Sequence, residues 1–195
     1  MSLALNLQVD KHYTYADCLD WPEDYRAEII DGEICEMPTP SRKHQGISME
    51  LEGILWTFLK SHPIGKIYHA PFGVRLNPKS DYSDDVVLEP DIAVVCDLSK
   101  LDDRSCNGAP DMVVEILSPS TASKDMVLKF RKYAEAGVRE YWIINPDQKT
   151  IQVCTLEKDG DSAGRYVVSA FDENESVPVN ILPGLEINLR DIFAD

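Results

Sequence analysis

Two short apolar runs, each carrying one carboxylate, constrain the fold of this chain more than any other feature. They are residues 90–95, which contain Asp91, and residues 113–117, which contain Glu115. Short runs rich in Val and Ile between polar loops are typical of buried strands. Because burying an isolated carboxylate costs several kcal/mol, each must face a cleft, pair with a cation or bind a metal ion. Taken singly, each could also be a strand-end carboxylate in a salt bridge.

The order of the other patterns predicts an α/β fold with a mixed central β-sheet flanked by two main helices. The sheet is expected to hold about six to eight strands. An N-terminal β-hairpin is predicted around Asp31-Gly32, a dipeptide that strongly favours a two-residue hairpin turn. One helix is predicted from a cap at Ser41 to about His62, and another over residues 122–136, capped within residues 118–121 and ended by Gly137. Further strands are predicted at residues 64–76, with an interruption at Pro71-Phe72-Gly73, and at 86–95, 112–117, 138–144, 150–156, 166–171 and 185–189.

Length and composition indicate an ordered globular protein. The 195 residues fit a single domain spanning 1–195, and 44% are hydrophobic. No apolar run approaches the roughly 18 residues that span a bilayer, and the first residues lack the features of a signal peptide. We therefore expect a cytoplasmic protein with no membrane partner. The five cysteines form no C-x-x-C pair, which argues against a zinc finger and a disulfide framework.

The charge is strongly acidic overall but uneven along the chain. There are 34 Asp and Glu against 19 Lys and Arg, a net charge of −15, which argues against non-specific nucleic-acid binding. Residues 42–79, however, carry 2 acids and 6 bases, and residues 112–140 carry 4 acids and 5 bases. A local basic face is thus compatible with the sequence. The bases of the first block are Arg42, Lys43, Lys60, Lys66, Arg75 and Lys79.

Lys129 lies at the flank of the apolar stripe of the second helix. That position predicts that it points along the sheet, whereas a surface pair with Asp125 at i, i+4 is the alternative. Asp and Glu on adjacent strands, with a Lys reaching over from the next helix, can hold a hard divalent cation and orient a water against a phosphodiester.

Four separated blocks resemble the Uma family of putative restriction endonucleases. They occur in the same order, within a resemblance that extends from about residue 13 to residue 193. Pro90-Asp91 followed by Glu115 also looks like the PD-(D/E)xK nuclease pattern, except that Leu117 stands at its lysine position. The four blocks are residues 25–34, 89–92, 114–121 and 137–143.

The resemblance implies a restriction-endonuclease-like core that binds Mg²⁺, or Mn²⁺ in its place, and cleaves a nucleic acid, with DNA as the expected substrate. Asp91 and Glu115 match the metal-ligand carboxylates, and the backbone carbonyl of Ile116 is a candidate further ligand. Lys129 matches the catalytic lysine, shifted from the strand to the following helix. Glu28 matches an acidic residue of the N-terminal block, although the alternation of a hairpin strand leaves its direction open.

The start of the first helix supplies the candidates for nucleic-acid binding. They are Arg42, Lys43 and His44. The alternatives are a solvated helix face for the two bases and a helix-end role for His44. A homodimer is expected, because cutting two strands requires two sites related by a two-fold axis.

Three functions remain open from the sequence. The first is a Mg²⁺-dependent endonuclease acting on DNA. The second is a nuclease-fold protein without cleavage that acts as a nucleic-acid- or protein-binding regulatory module, and the third is a structural or regulatory metal-binding protein. The carboxylates and Lys129 favour the first, whereas the net charge of −15 favours the other two.

Overall fold

The computed structural model describes residues 8, 10–22, 24–118, 124–157 and 164–194. Its helices are α1 (Tyr15–Cys18), α2 (Arg42–Ser61), α3 (Lys124–Ala136) and α4 (Leu189–Ile192). Its strands are β1 (Ala27–Ile30), β2 (Glu33–Glu36), β3 (Lys66–His69), β4 (Gly73–Arg75), β5 (Val87–Leu88), β6 (Ile92–Val95), β7 (Ser105–Asn107), β8 (Met112–Ile116), β9 (Glu140–Asn145), β10 (Thr150–Glu157), β11 (Arg165–Asp172), β12 (Ser176–Pro178) and β13 (Glu186–Asn188).

The predicted N-terminal hairpin is confirmed. Strands β1 and β2 pair antiparallel, and the two turn residues between them, Asp31 and Gly32, have φ of 52° and 80°. This left-handed conformation is the one that a tight hairpin turn requires and that Gly adopts without strain. A side chain at position 32 would also overlap the ring of His12. The turn therefore fixes the register of β1, the strand that carries Glu28.

The strands divide between sheets, and the α/β class with a mixed central sheet is confirmed. The central sheet has the order β11-β10-β9-β8-β6-β3, in which β8 and β9 are parallel. A second sheet has the order β2-β1-β5-β4-β7, and β12 pairs with β13. Residues 86–95 were predicted as one strand, but they break at Glu89-Pro90 into β5 of the second sheet and β6 of the central sheet. Proline has no N–H with which to continue a ladder.

Two helices cover the two faces of the central sheet. Ile47, Leu51 and Leu55 of α2 lie in one apolar cluster with Ile92, Val114 and Trp142. Tyr133 of α3 lies in a second cluster with the alternate strand residues Val113, Tyr141 and Ile143. Because side chains alternate along a strand, Glu115 shares the α3 face with Val113.

Several parts of the chain were predicted less completely. The sequence patterns do not predict β7, β12 and α4, each of which has at most four residues. The predicted cap of α3 falls largely on residues 119–121, outside the described residues. Cys18, Cys96, Cys106 and Cys154 are free thiols in the described structure. Within the described parts of the chain, no helix is long and apolar enough to cross a membrane. That residues 1–195 form one domain stays a prediction.

Candidate active site

Asp91 and Glu115 lie side by side at the ends of two paired strands. Strands β6 and β8 are antiparallel with Ile92 opposite Val114, so the same register continued by one residue places Asp91 opposite Glu115. Asp91 Oδ2 accepts the backbone N–H of Ile116 at 2.7 Å, which ties the carboxylate to the neighbouring strand. Because opposed residues project from the same face of a sheet, both carboxylates lie on the face that α3 covers.

Lys129 reaches from α3 to two carboxylates. Its Nζ lies 2.8 Å from Glu28 Oε1 and 2.9 Å from Glu115 Oε1, and the residue is 7% exposed. Glu28 Oε1 also accepts the backbone N–H of Glu89 at 2.8 Å, and the hydroxyl of Tyr133 donates to Glu115 Oε1 at 2.8 Å. A surface pair at i, i+4 does not describe this buried ammonium. The structure thus brings together side chains from β1, β8 and α3.

The ionisation of this cluster follows from its burial. Burial raises the pKa of Glu115 to about 7, and the charges of Glu28 and Asp91 add to the rise while Lys129 opposes it. Burial alone would lower the pKa of Lys129, but the charges of Glu115 and Glu28 raise it well above its usual range. The ammonium therefore keeps its proton at any physiological pH, whereas the Glu115 carboxyl titrates near neutrality.

His44 belongs to the same cluster, while the other two predicted nucleic-acid contacts do not. His44 Nε2 lies 3.1 Å from Asp91 Oδ2, and the residue is 8% exposed. Its Nδ1 is buried and has no hydrogen-bond partner among the described residues. Lys43 instead pairs with Asp147 at 3.2 Å, and Arg42 lines a separate recess near the C-terminus. Binding of nucleic acid by these three side chains stays a prediction.

A cavity of about 100 Å³ gives access to the cluster. Its walls come from β2, from the proline-containing segment that follows β2, and from the ends of β6 and β8. The charged side chains that line it are Arg26, Glu28, Glu36, His44, Asp91, Glu115 and Lys129. This recess is therefore the place where a ligand could meet all of the predicted site residues except Arg42 and Lys43.

Comparison with known proteins places the chain in a family. Residues 15–190 match the model of the Uma2 family, described as "Putative restriction endonuclease". The chain belongs to the Uma2 family. An uncharacterized protein of Synechocystis, slr1290, is 29% identical over 146 residues, which cover 73% of this chain and 74% of that protein.

A solved structure supports the fold of this Uma2 member. The crystal structure of "a putative nuclease belonging to DUF820" from Anabaena variabilis matches with a TM-score of 0.74 and 24% sequence identity. The match covers 93% of this chain and 98% of that one. At this level of identity, the likeness establishes the fold alone. The Uma2 match itself confirms the resemblance that the four sequence blocks indicated.

The two carboxylates of this Uma2 site suit one kind of metal ion. Mg²⁺ keeps several of its waters and is commonly held by only one or two carboxylates together with substrate phosphate. The hydrogen bonds described above fall on one oxygen each of Asp91 and Glu115. No three His, Cys, Asp or Glu side chains of the described chain are grouped so as to hold a metal ion by themselves. The donor set therefore fits Mg²⁺ or Mn²⁺ and does not fit a structural zinc site.

Two contacts of the Uma2 site had no clear signal in the sequence. Tyr133 is fully buried among apolar side chains, yet its hydroxyl holds Glu115. The bond between His44 and Asp91 joins residues that are 47 positions apart, which no local pattern can reveal. The spacing of four between Lys129 and Tyr133 was the available hint, since it places both side chains on one side of α3.

Proposed function

We propose that this Uma2 protein is a metal-dependent endonuclease that hydrolyses phosphodiester bonds of DNA. The proposed catalytic side chains are Asp91, Glu115, Lys129 and Glu28. The observation that carries the proposal is the buried Lys129 ammonium between Glu28 and Glu115, beside the paired Asp91. Collecting these charges in one recess adds little to stability, and such clusters in a cavity are typical of functional sites.

Asp91 and Glu115 are the proposed metal-binding residues. Together with the backbone carbonyl of Ile116, they would hold Mg²⁺, or Mn²⁺ in its place. A divalent cation in such a site supplies Lewis-acid activation of a phosphate and of a water. Asp91 is held by the backbone N–H of Ile116 and by His44. Glu115 is held by Tyr133 and Lys129. These fixed positions suit the two carboxylates to metal binding.

Lys129 contributes charge rather than proton transfer. Because its raised pKa keeps it protonated, it cannot accept a proton from an attacking water. A fixed ammonium in a recess that excludes most water stabilises negative charge as it develops on a phosphate. Glu28 positions that ammonium, and Glu28 is itself held by the backbone N–H of Glu89.

We further propose that two copies act together, each recess taking one strand of the DNA. A two-fold dimer would present one recess to each strand of a duplex. The support is the restriction-endonuclease description of the family.

A second candidate function is a nuclease-fold protein that binds nucleic acid or a protein partner without cleavage. Two observations favour it. Leu117 stands where the PD-(D/E)xK pattern has its lysine. The net charge of −15 opposes tight binding of a polyanion and so favours the form of this candidate that binds a protein partner. The two functions differ in whether the purified protein cleaves DNA.

Cleavage of supercoiled plasmid and of single-stranded DNA, with Mg²⁺ or Mn²⁺, tests the proposal. We expect activity in the wild type, none in Asp91→Ala or Lys129→Ala, and normal activity in Lys132→Ala. Lys132 is a matched control because it is on the same helix but pairs with Asp31 outside the recess. Equal activity in all variants would identify a contaminant. Inactive wild-type protein that still binds the metal would favour the second candidate.

Metal binding is tested separately by calorimetry with Mn²⁺. The double variant Asp91→Ala, Glu115→Ala should keep its fold, as judged by circular dichroism, and lose the binding signal. Unchanged Mn²⁺ affinity in that variant would remove the proposed metal site.

A further inference from the structure

An apolar groove runs between α2 and β3, outside the recess described above. It has a volume of about 310 Å³ and is lined by Met49, Glu52, Gly53, Trp56, Ile67, Tyr68 and His69. Trp56 is 54% exposed and Met49 is 74% exposed, although the opposite side of α2 is buried against the central sheet. Large side chains exposed together in a groove are typical of a binding surface.

The groove lies in the most basic block of the chain. Lys60 Nζ lies 5.1 Å from the centroid of the Trp56 ring, and Lys66 is exposed at the start of β3. The one acid that lines the groove, Glu52, accepts a hydrogen bond from Ser48 at 2.8 Å. An exposed aromatic ring beside a lysine is an arrangement on which proteins stack the bases of single strands while binding their phosphates.

One end of the groove lies next to the candidate active site. His69, the last residue of β3, pairs with Ile92, the residue that follows Asp91. The N–H of Ala70 then donates to the carbonyl of Asp91 at 3.1 Å. On α2, Met49 follows His44 by five residues, which is about 8 Å along the helix axis. A chain lying in the groove would therefore lead towards the recess.

We propose that this groove binds single-stranded DNA, with a base stacked on Trp56 and phosphates bound by Lys60 and Lys66, and leads it to the recess. The inference rests on the proposed nuclease function and gives its substrate a path on the surface. A nucleic acid suits the groove better than a protein strand. β3 is at the edge of the central sheet, and a lysine such as Lys66 on an edge strand discourages strand addition.

Binding of a fluorescent oligothymidylate in EDTA tests the inference, because no cleavage occurs without metal. Trp56→Ala should weaken binding roughly 5- to 140-fold, the effect of losing one stacked base. Trp56→Phe should keep most of the affinity, since a phenyl ring also stacks. Lys60→Gln and Lys66→Gln should each reduce the slope of log K against log salt by about 0.7. Val168→Ala is the control, because Val168 is exposed on β11 at the opposite edge of the sheet.

Several results would overturn the inference. Wild-type affinity in Trp56→Ala would exclude the groove as the binding surface, and cleavage by the same variant would show that the nuclease proposal survives. Tighter binding of matched RNA or duplex would reject single-stranded DNA as the ligand. If light scattering showed that Trp56→Ala turns a dimer into a monomer, the groove would be a subunit interface. The inference would be supported if Asp91→Ala bound the oligonucleotide with wild-type affinity but did not cleave DNA, because binding and cleavage would then depend on different residues.

Discussion

Replacing Glu115 with Gln should stabilise the metal-free protein at pH 8 and change it little at pH 5. Burial raises the pKa of Glu115 to about 7 from its ordinary 4.5. Between these values the folded state holds a proton that the unfolded chain has released. The free energy of unfolding of the wild type therefore falls as the pH rises through this window, and it levels off above pH 7. Glutamine has no such proton, so its contribution does not change with pH.

The expected difference is set by the two pKa values. Each unit of pKa shift corresponds to about 1.36 kcal/mol. With pKa values of 4.5 and about 7, the wild type should lose about 2–3 kcal/mol between pH 5 and pH 8 that Glu115→Gln does not lose. The amide oxygen can still accept the hydrogen bonds of Lys129 and Tyr133, so the substitution preserves these contacts.

Urea unfolding followed by circular dichroism, in EDTA at pH 5 and pH 8, measures this difference. The matched control is Glu135→Gln, an exposed carboxylate on α3 that pairs with Arg131. It should show the pH dependence of the wild type. The reasoning would be refuted if Glu115→Gln also followed the wild-type pH dependence to within about 0.5 kcal/mol, because Glu115 would then ionise in the folded protein as it does in solvent.

Three further substitutions test what holds the fold together, each by urea unfolding. Asp84→Asn should cost about 3–5 kcal/mol at pH 7, because it breaks the buried two-bond pair with Arg75. Burial alone would raise the pKa of Asp84, but the hydrogen bonds and charge of Arg75 lower it. The ion pair therefore stabilises the fold above pH 3.8, and the destabilisation caused by Asp84→Asn should shrink as the pH falls below that value. Gly32→Ala should cost at least about 1 kcal/mol, because it adds a side chain at positive φ against His12. Glu140→Ala should cost about 3 kcal/mol or more, since it leaves two buried donors, the ring N–H of Trp142 and the backbone N–H of Ile181, without their acceptor. A loss below about 1 kcal/mol in any of the three would contradict its stated cause.

The sequence predicted that Asp91 and Glu115 each need a partner because the signal for this is local. A charge within a short apolar run marks a strand residue that needs a partner, and this held for Asp91 and Glu115. Lys129 was found for a similar reason, since its place beside the apolar stripe of the helix directs it towards the sheet. The hairpin was equally local, because Asp31 and Gly32 favour the left-handed turn by themselves.

The direction of Glu28 could not be predicted from alternation. All four residues of β1 are buried, so the strand has no solvent-facing side from which a register can be deduced. The Glu28 side chain points inward because of the way the second sheet packs against the ends of β6 and β8. That packing follows from the interruption between β5 and β6 at Glu89-Pro90. Proline was the visible signal for this break, but it does not reveal that β5 joins a different sheet.

The acidic net charge does not decide between the candidate functions, because the range of electrostatic interactions is short. At physiological ionic strength, exposed charges further apart than about 8 Å are largely screened. A bound polyanion therefore responds mainly to the charges of its own track, which at the α2–β3 groove are Lys60 and Lys66 against Glu52. The acids elsewhere would still repel DNA at low salt, where screening reaches further. The affinity of DNA for the groove should consequently fall less steeply with salt than its lysines alone would cause. Replacing distant Asp or Glu residues with neutral ones should leave the contribution of stacking on Trp56 unchanged.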